Sequence, residues 1–155
     1  MYILKYDRVI DAPADIVWDV ISDLEAYADY APNLSRAERT SDGLTPTRRC
    51  YDPRGRSWNE ACVLWKEGEV YSFVVETAAE DYPFPFHYLQ GTWGMEHTSE
   101  GIRVYMQFRY QPKGPSILNR IINPLAKRKV TPIMRKLMDN WEAEIRARTT
   151  RKSAA

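Results

Sequence analysis

Three features of the sequence predict an α+β fold in which one antiparallel sheet packs against a long C-terminal helix. A strand pattern at the N-terminus is followed by helical spacing over residues 11–32. Residues 33–112 then carry strand-like alternation interrupted by turn-forming residues. From Ser116 onward the apolar residues recur every three or four positions, as in an amphipathic helix. Helices and strands segregated in this way are typical of α+β domains.

The N-terminal segment predicts one strand and two short helices. Residues 2–10 (YILKYDRVI) alternate like a strand. In the segment that follows, Pro13 suits the first turn of a helix and Asp15 suits its positive end. We expect Asp23 to cap a second short helix, which ends before Pro32.

Six further strands are predicted, which gives seven in all. The turns between them are centred on Asp42-Gly43, DPRG (52–55), Glu67-Gly68 and TSEG (98–101). The stretch DYPFPFHY (81–88) precedes the sixth strand. Because proline lacks the N–H that a central strand needs, Pro83 and Pro85 indicate the approach to that strand rather than its interior.

The last third predicts one long amphipathic helix, or two pieces jointed near Asn123-Pro124 and Pro132. The chain has the length of one domain. We therefore predict a single domain over residues 1–148 and a flexible basic tail over residues 149–155.

Composition excludes several classes of protein. No apolar run approaches the roughly 20 residues of a membrane span, and no signal peptide is evident. Cys50 and Cys62 are the only cysteines, which predicts two free thiols in a reducing cytoplasm and no zinc site. Residues 1–112 hold 11 Lys/Arg against 18 Asp/Glu, whereas residues 113–155 hold 11 against 3. A basic helix that packs onto an acidic body explains this asymmetry, and binding to nucleic acid or acidic lipid is the alternative.

Three long segments carry a resemblance to a known superfamily. They are IDAPADIVWDVISDLEAYADYAP (10–32), RRCYDPRGRSWNEACVLWKEGEVYSFVVET (48–77) and GTWGMEHTSEGIRVYMQFRYQPKGP (91–115). With the final helix, they resemble the START-like (SRPBCC, helix-grip) superfamily, and within it the polyketide cyclase/dehydratase-type proteins. The resemblance implies a curved seven-stranded sheet around the C-terminal helix, with a mostly apolar pocket between them.

Strand alternation assigns side chains to that pocket. By resemblance Trp93 points inward, and period two then places His87 and Leu89 on the same face. On the fourth strand Trp58, Glu60, Cys62 and Leu64 share the inner face, which leaves Trp65 outside. The predicted ligand contacts are Trp58, Cys62, Phe73, Phe86, Leu89, Trp93, Met106, Phe108, Tyr110, Ile133, Leu137 and Trp141.

Glu60 and His87 are the candidate catalytic residues. An inward carboxylate is costly unless it is paired, so Glu60 is either a general acid or base or one half of an ion pair, for instance with Arg49. His87 is either a proton shuttle or a packed, hydrogen-bonded histidine. His87 and His97 lack a third ligand, so no metal is predicted. No phosphate-binding loop is present, and no cofactor is predicted.

These observations leave three functions open. The first is cyclase, aromatase or dehydratase chemistry on a hydrophobic or aromatic small molecule. The second is non-catalytic carriage of a lipid, quinone or similar ligand. The third is partner binding through the basic C-terminal helix. Several aromatase/cyclases carry an inward serine and arginine on the strand that corresponds to SWNEACVLW (57–65), and neither residue stands at an inward position of that strand here.

Overall fold

The protein is an antiparallel sheet of seven strands with two short helices and one long C-terminal helix. The computed structural model describes residues 1–43 and 45–155, without the side chains of residues 116–119. The elements are β1 (Tyr2–Ile10), α1 (Ala14–Ile21), α2 (Tyr27–Tyr30), β2 (Arg36–Ser41), β3 (Thr47–Tyr51), β4 (Ser57–Lys66), β5 (Val70–Val75), β6 (Phe86–Thr98), β7 (Gly101–Pro112) and α3 (Ser116–Ala154). This order confirms the predicted helix-grip arrangement.

The sheet has the order β1-β7-β6-β5-β4-β3-β2, and every neighbouring pair is antiparallel. Both α1 and α3 pack on its inner face. Side chains at helical spacing on α3 are buried there, and these are Met134, Leu137, Met138, Trp141 and Ile145. The core therefore lies between the concave face of the sheet and residues 134–145 of α3.

Hydrogen bonds test two of the local predictions, at Asp23 and in the turn between β3 and β4. The Asp23 carboxylate accepts hydrogen bonds from the backbone N–H groups of Glu25 at 3.2 Å and Ala26 at 3.0 Å, in the turn before α2. The prediction that Asp23 caps α2 is wrong, because the N-cap of α2 is Ala26 and no side chain caps it. In the turn between β3 and β4, the N–H of Gly55 donates to the Asp52 carbonyl at 3.0 Å. Gly55 has φ 80°, a conformation that a residue with a Cβ rarely adopts.

Helix α3 is one continuous helix, although two prolines lie inside it. Pro124 and Pro132 therefore do not divide it into two pieces. The helix also includes residues 149–154, where the sequence predicts a flexible tail. The Lys152 ammonium lies 2.6 Å from the Asp15 carboxylate, which ties this end of α3 to α1.

A β-bulge in β4 reverses the faces that simple alternation predicts for the end of that strand. In β4 the register shifts between Cys62 and Leu64. Leu64 is consequently 42% exposed, whereas the Trp65 ring lies 5.3 Å from the inward Tyr71 ring. The predictions that Leu64 faces inward and Trp65 outward are therefore wrong. One extra residue in a strand moves every later side chain to the opposite face.

Candidate ligand-binding site

An arginine lies at the centre of the concave face. Arg48 comes from β3, and only 3% of its surface is exposed. Its guanidinium carbon lies 4.3 Å from the centre of the Phe73 ring, 4.7 Å from that of Tyr27 and 5.7 Å from that of Trp93. Three aromatic rings from α2, β5 and β6 thus enclose the cation, in contacts that stabilise a positive charge.

The carboxylate of Glu60 neutralises this arginine. Strand register pairs Arg48 with Glu60, and both Nε and Nη2 of Arg48 lie 2.8 Å from Glu60 Oε2. The other carboxylate oxygen accepts a hydrogen bond of 2.7 Å from Trp58 Nε1. Burial is the largest single effect and lowers the pKa of Arg48, but Glu60, together with Cys50, Tyr27 and Tyr71, more than offsets it and raises that pKa above its ordinary value. The pair is therefore a buried salt bridge with a charged guanidinium.

One nitrogen of this guanidinium has no partner. Arg48 Nη1 is buried and makes no hydrogen bond among the described residues. A buried donor without an acceptor is costly, and such groups are rare in folded proteins. Glu60 holds the other two nitrogens, so Nη1 remains the donor that a ligand oxygen can use.

Arg49 does not pair with Glu60, contrary to one of the two sequence-based interpretations. Because successive residues of a strand face opposite sides, Arg49 points away from the concave face. It donates to Ser57 Oγ at 2.7 Å and lies 3.2 Å from the Asp81 carboxylate. The interpretation of Glu60 as half of an ion pair is confirmed, with Arg48 as the partner.

His87 does not face the interior, and the prediction that it does is wrong. Its side chain is exposed, and a bulge interrupts the register between Phe86 and Tyr88. The backbone carbonyl of His87 accepts a hydrogen bond of 2.6 Å from the Thr77 hydroxyl. Phe86 instead points inward, with its ring 5.6 Å from that of Tyr110.

The twelve predicted ligand contacts divide into two groups by burial. Seven are buried in the core, and these are Cys62, Phe73, Trp93, Met106, Tyr110, Leu137 and Trp141. Five are only half-buried, and these are Trp58, Phe86, Leu89, Phe108 and Ile133. The concave face is thus partly open to solvent where the half-buried side chains lie.

The proline- and aromatic-rich stretch 81–88 lies at this open end. The Phe84 ring packs edge-on against Trp58 at 5.2 Å, and Tyr82 packs against Phe84 at 5.7 Å. We call Trp58, Phe84, Phe86, Leu89 and Phe108 the aromatic mouth. Its Phe108 ring lies 5.6 Å from Trp93, which in turn borders Arg48. Aromatic contacts therefore lead from the mouth to the buried guanidinium.

The space beside Arg48 is filled by side chains. Trp93 lies so close over Gly91 that a Cβ built at that glycine would be 2.2 Å from the Trp93 ring. Two surface depressions, of about 180 Å³ and 250 Å³, lie elsewhere, and neither is lined by Arg48 or Glu60. A ligand that reaches Arg48 must therefore displace side chains of the mouth or of the aromatic cage.

Comparison with known proteins identifies the family. Residues 1–146 match the family described as "Polyketide cyclase / dehydrase and lipid transport". The chain belongs to this polyketide cyclase family. A Streptomyces cyaneus protein described as "Putative polyketide cyclase" is 29% identical over 112 residues, which are 68% of this chain and 72% of that protein.

Two solved structures of aromatase/cyclases share the fold of this chain. The Zhui aromatase/cyclase from Streptomyces sp. R1128 superposes with a TM-score of 0.69 at 17% identity, covering 94% of this chain and 96% of that one. The di-domain ARO/CYC StfQ from the steffimycin biosynthetic pathway gives a TM-score of 0.76 at 12% identity. That match covers 94% of this chain and 51% of StfQ.

The described residues were also compared with the requirements of a membrane-spanning helix and of a metal site. No helix there has the length and apolar character needed to cross a membrane. Nor do the described side chains include a group of three or more His, Cys, Asp or Glu arranged to hold a metal ion.

Sequence reasoning missed Arg48 as the central polar group. The segment TRRCY (47–51) offers two adjacent arginines, and only one of them can face the core. Cys50 could have shown which arginine faces inward. Residues two apart in a strand share a face, and a cysteine is usually buried, so Arg48 rather than Arg49 is expected to face the core. Cys50 is indeed fully buried, and burial raises its pKa to about 12.

Proposed function

We propose that this protein binds an apolar, carbonyl-bearing small molecule on its concave face and promotes cyclisation or dehydration of that molecule. The observation that supports the proposal is the buried, unpartnered Nη1 of Arg48 inside an aromatic cage. A flat or polyketone-like ligand gives that nitrogen a carbonyl acceptor and gives the rings an apolar partner.

The proposed reaction requires the protein only to position the ligand and to stabilise a negatively charged oxygen. A methylene between two carbonyls, acidic because its enolate is delocalised, loses a proton to a base in the solvent before the ligand is fully enclosed, and the resulting enolate carbon forms a bond to another carbonyl carbon. The oxygen of that carbonyl becomes an alkoxide and takes up a proton from the solvent; loss of a second proton from the attacking carbon to the solvent then expels this hydroxyl, with a further proton, as water. A guanidinium that donates to this oxygen stabilises the developing negative charge, most effectively where water is excluded. Holding the chain in a folded geometry supplies further acceleration.

In this scheme Glu60 orients Arg48 and is not the general base. Both of its oxygens are engaged, one by Arg48 and the other by Trp58. We propose that Glu60 fixes the plane of the guanidinium so that Nη1 stays available. The twelve side chains predicted from the sequence remain the proposed ligand contacts. An entering ligand would contact those of the aromatic mouth before it reaches Arg48.

A matched pair of ligands tests the role of Arg48. Anthraquinone and anthracene have similar shapes, but only anthraquinone has carbonyl oxygens. We expect binding, measured by quenching of tryptophan fluorescence, to favour anthraquinone by about tenfold to hundredfold, the range of a hydrogen bond to a charged donor.

The variant Arg48→Met/Glu60→Leu removes the ion pair without leaving an unpaired charge. It should bind both ligands equally. Arg48→Lys keeps the charge but lacks the second terminal nitrogen, so it should also lose the preference. Equal affinity of the native protein for the two ligands, or a preference that survives in both variants, would contradict the proposed role.

Non-catalytic carriage of a hydrophobic ligand is the second candidate. The exposure of His87 and the full engagement of Glu60 favour it, because neither group is then a free acid or base on the concave face. Incubation with a synthetic poly-β-ketone, followed by mass spectrometry, separates the two functions. An enzyme yields the cyclised product faster than buffer does, whereas a carrier returns the compound unchanged.

We further propose a cytoplasmic location. Both cysteines are free thiols, as the sequence predicts, and free thiols suit a reducing compartment. Fractionation of the native cells with an antibody against the protein would test this.

A further inference from the structure

The two halves of α3 differ in how their positive charges are neutralised. Within residues 116–136 there are six basic residues and no acidic residue, and the six are Arg120, Lys127, Arg128, Lys129, Arg135 and Lys136. None of them takes part in an ion pair among the described residues.

In the second half of α3 the basic residues do have acidic partners. Arg146 pairs with Glu142 at 2.6 Å. Arg148 and Arg151 both pair with Glu144, at 2.7 Å and 3.2 Å. The first half therefore carries a surplus of positive charge that the fold itself leaves without counter-charges.

Two large apolar side chains are exposed within this positive segment. Ile121 is 62% exposed and Leu125 is 50% exposed. They lie four residues apart and so share one face of the helix. The opposite face, which includes Ala126 and Val130, packs against the core. Exposed leucine and isoleucine one turn apart, surrounded by cations, are the pattern of a helix that lies on a bilayer surface.

We propose that the first half of α3 docks on an anionic lipid bilayer. We call the outward side chains that make the contact the basic face, and these are Arg120, Ile121, Leu125, Arg128 and Lys129. The cations lie at the level of the lipid phosphates, and the two apolar side chains enter the acyl boundary. Nucleic acid offers phosphates as well, but it gives exposed isoleucine and leucine no apolar environment.

The basic face lies close to the aromatic mouth. Asn123 of the same helical segment accepts a hydrogen bond from the Tyr110 hydroxyl. The Tyr110 ring in turn packs 5.6 Å from Phe86 of the mouth. A docked molecule would hold its mouth near the membrane, where apolar ligands concentrate. The docking itself does not depend on the identity of the ligand or on catalysis.

Co-sedimentation with vesicles tests this proposal on the full chain without any ligand. We expect binding to vesicles that contain phosphatidylglycerol and none to pure phosphatidylcholine. Binding should fall steeply toward about 1 M salt, where the screening length is about 3 Å. Arg128→Gln/Lys129→Gln should bind about 25-fold more weakly, because each cation near an anionic bilayer contributes about fivefold.

Two matched variants serve as controls. Arg146→Gln/Arg151→Gln changes the net charge equally but in the paired half of α3, and it should bind like the native protein. Ile121→Ser/Leu125→Ser should weaken binding at least about tenfold, whereas Val63→Ser/Leu64→Ser, at exposed apolar positions of β4, should not.

Three outcomes would overturn the proposal. The first is the absence of binding to anionic vesicles. The second is equal loss in both glutamine pairs, which indicates attraction by net charge alone. The third is a loss with Arg128→Gln/Lys129→Gln that Ile121→Ser/Leu125→Ser does not share, which indicates that charge attracts the protein to the vesicles but the isoleucine and leucine do not enter the bilayer. None of these outcomes bears on the preference for anthraquinone, so failure of either proposal can be recognised separately.

Discussion

Replacing Glu60 by leucine should destabilise this protein much more than the loss of one surface carboxylate. Arg48 would keep its charge inside the aromatic cage and would lose the only acidic group that neutralises it among the described residues. Leaving one half of a buried ion pair unpaired costs about 3–5 kcal/mol of the free energy of unfolding. For a chain of this size each kcal/mol shifts the melting temperature by about 2–4 °C, so the expected fall is about 6–20 °C.

The assay is urea denaturation and thermal unfolding of a small set of variants. Glu76→Leu is the control, because Glu76 is exposed directly after β5 and its carboxylate accepts a hydrogen bond only from the Asn59 side-chain amide among the described residues. It should change the free energy of unfolding by no more than about 0.5 kcal/mol. The double variant Arg48→Met/Glu60→Leu should recover most of the stability that Glu60→Leu loses, because buried ion pairs can often be replaced by apolar side chains without loss.

The reasoning would be refuted by either of two results. In one, Glu60→Leu is no less stable than Glu76→Leu, which means that water reaches and solvates the guanidinium. In the other, the double variant is no more stable than Glu60→Leu, which means that the arginine stem and the aromatic rings, rather than the charge, determine the cost.

Two further predictions follow from contacts away from the ion pair. Gly91→Ala should lower the free energy of unfolding by about 1–3 kcal/mol and shift the tryptophan emission, because the new Cβ overlaps the Trp93 ring; unchanged denaturation and emission would contradict this. The hydrogen bond from Arg8 lowers the pKa of Glu142 below its ordinary value of 4.5, so its stabilisation is complete above that pH and is lost as pH falls through the lower, folded-state value. Glu142→Gln should therefore cost about 1 kcal/mol at neutral pH and weaken the acid dependence of unfolding, whereas Glu100→Gln should do neither.

The order and type of the elements were determined by local sequence. Seven strands, two short helices and a long helix follow from alternation, helical spacing and turn residues that act within a few positions of one another. The DPRG turn and its glycine at position 55 belong to the same class, because they require only neighbouring residues. The resemblance to the helix-grip superfamily then predicted how these elements pack.

The site was decided by tertiary structure at the points where alternation fails. Bulges near Val63 and His87 reversed the faces of Trp65 and His87, and no short-range pattern indicates where a strand accepts an extra residue. The pairing of Glu60 with Arg48 rather than Arg49 depended on the β3–β4 register, which is a shift of one residue in a hairpin. The aromatic cage joins α2, β5 and β6 around one cation, so it exists only after the chain has folded. Sequence periodicity places a side chain on a face, but the partners across that face are chosen by strand register and helix packing.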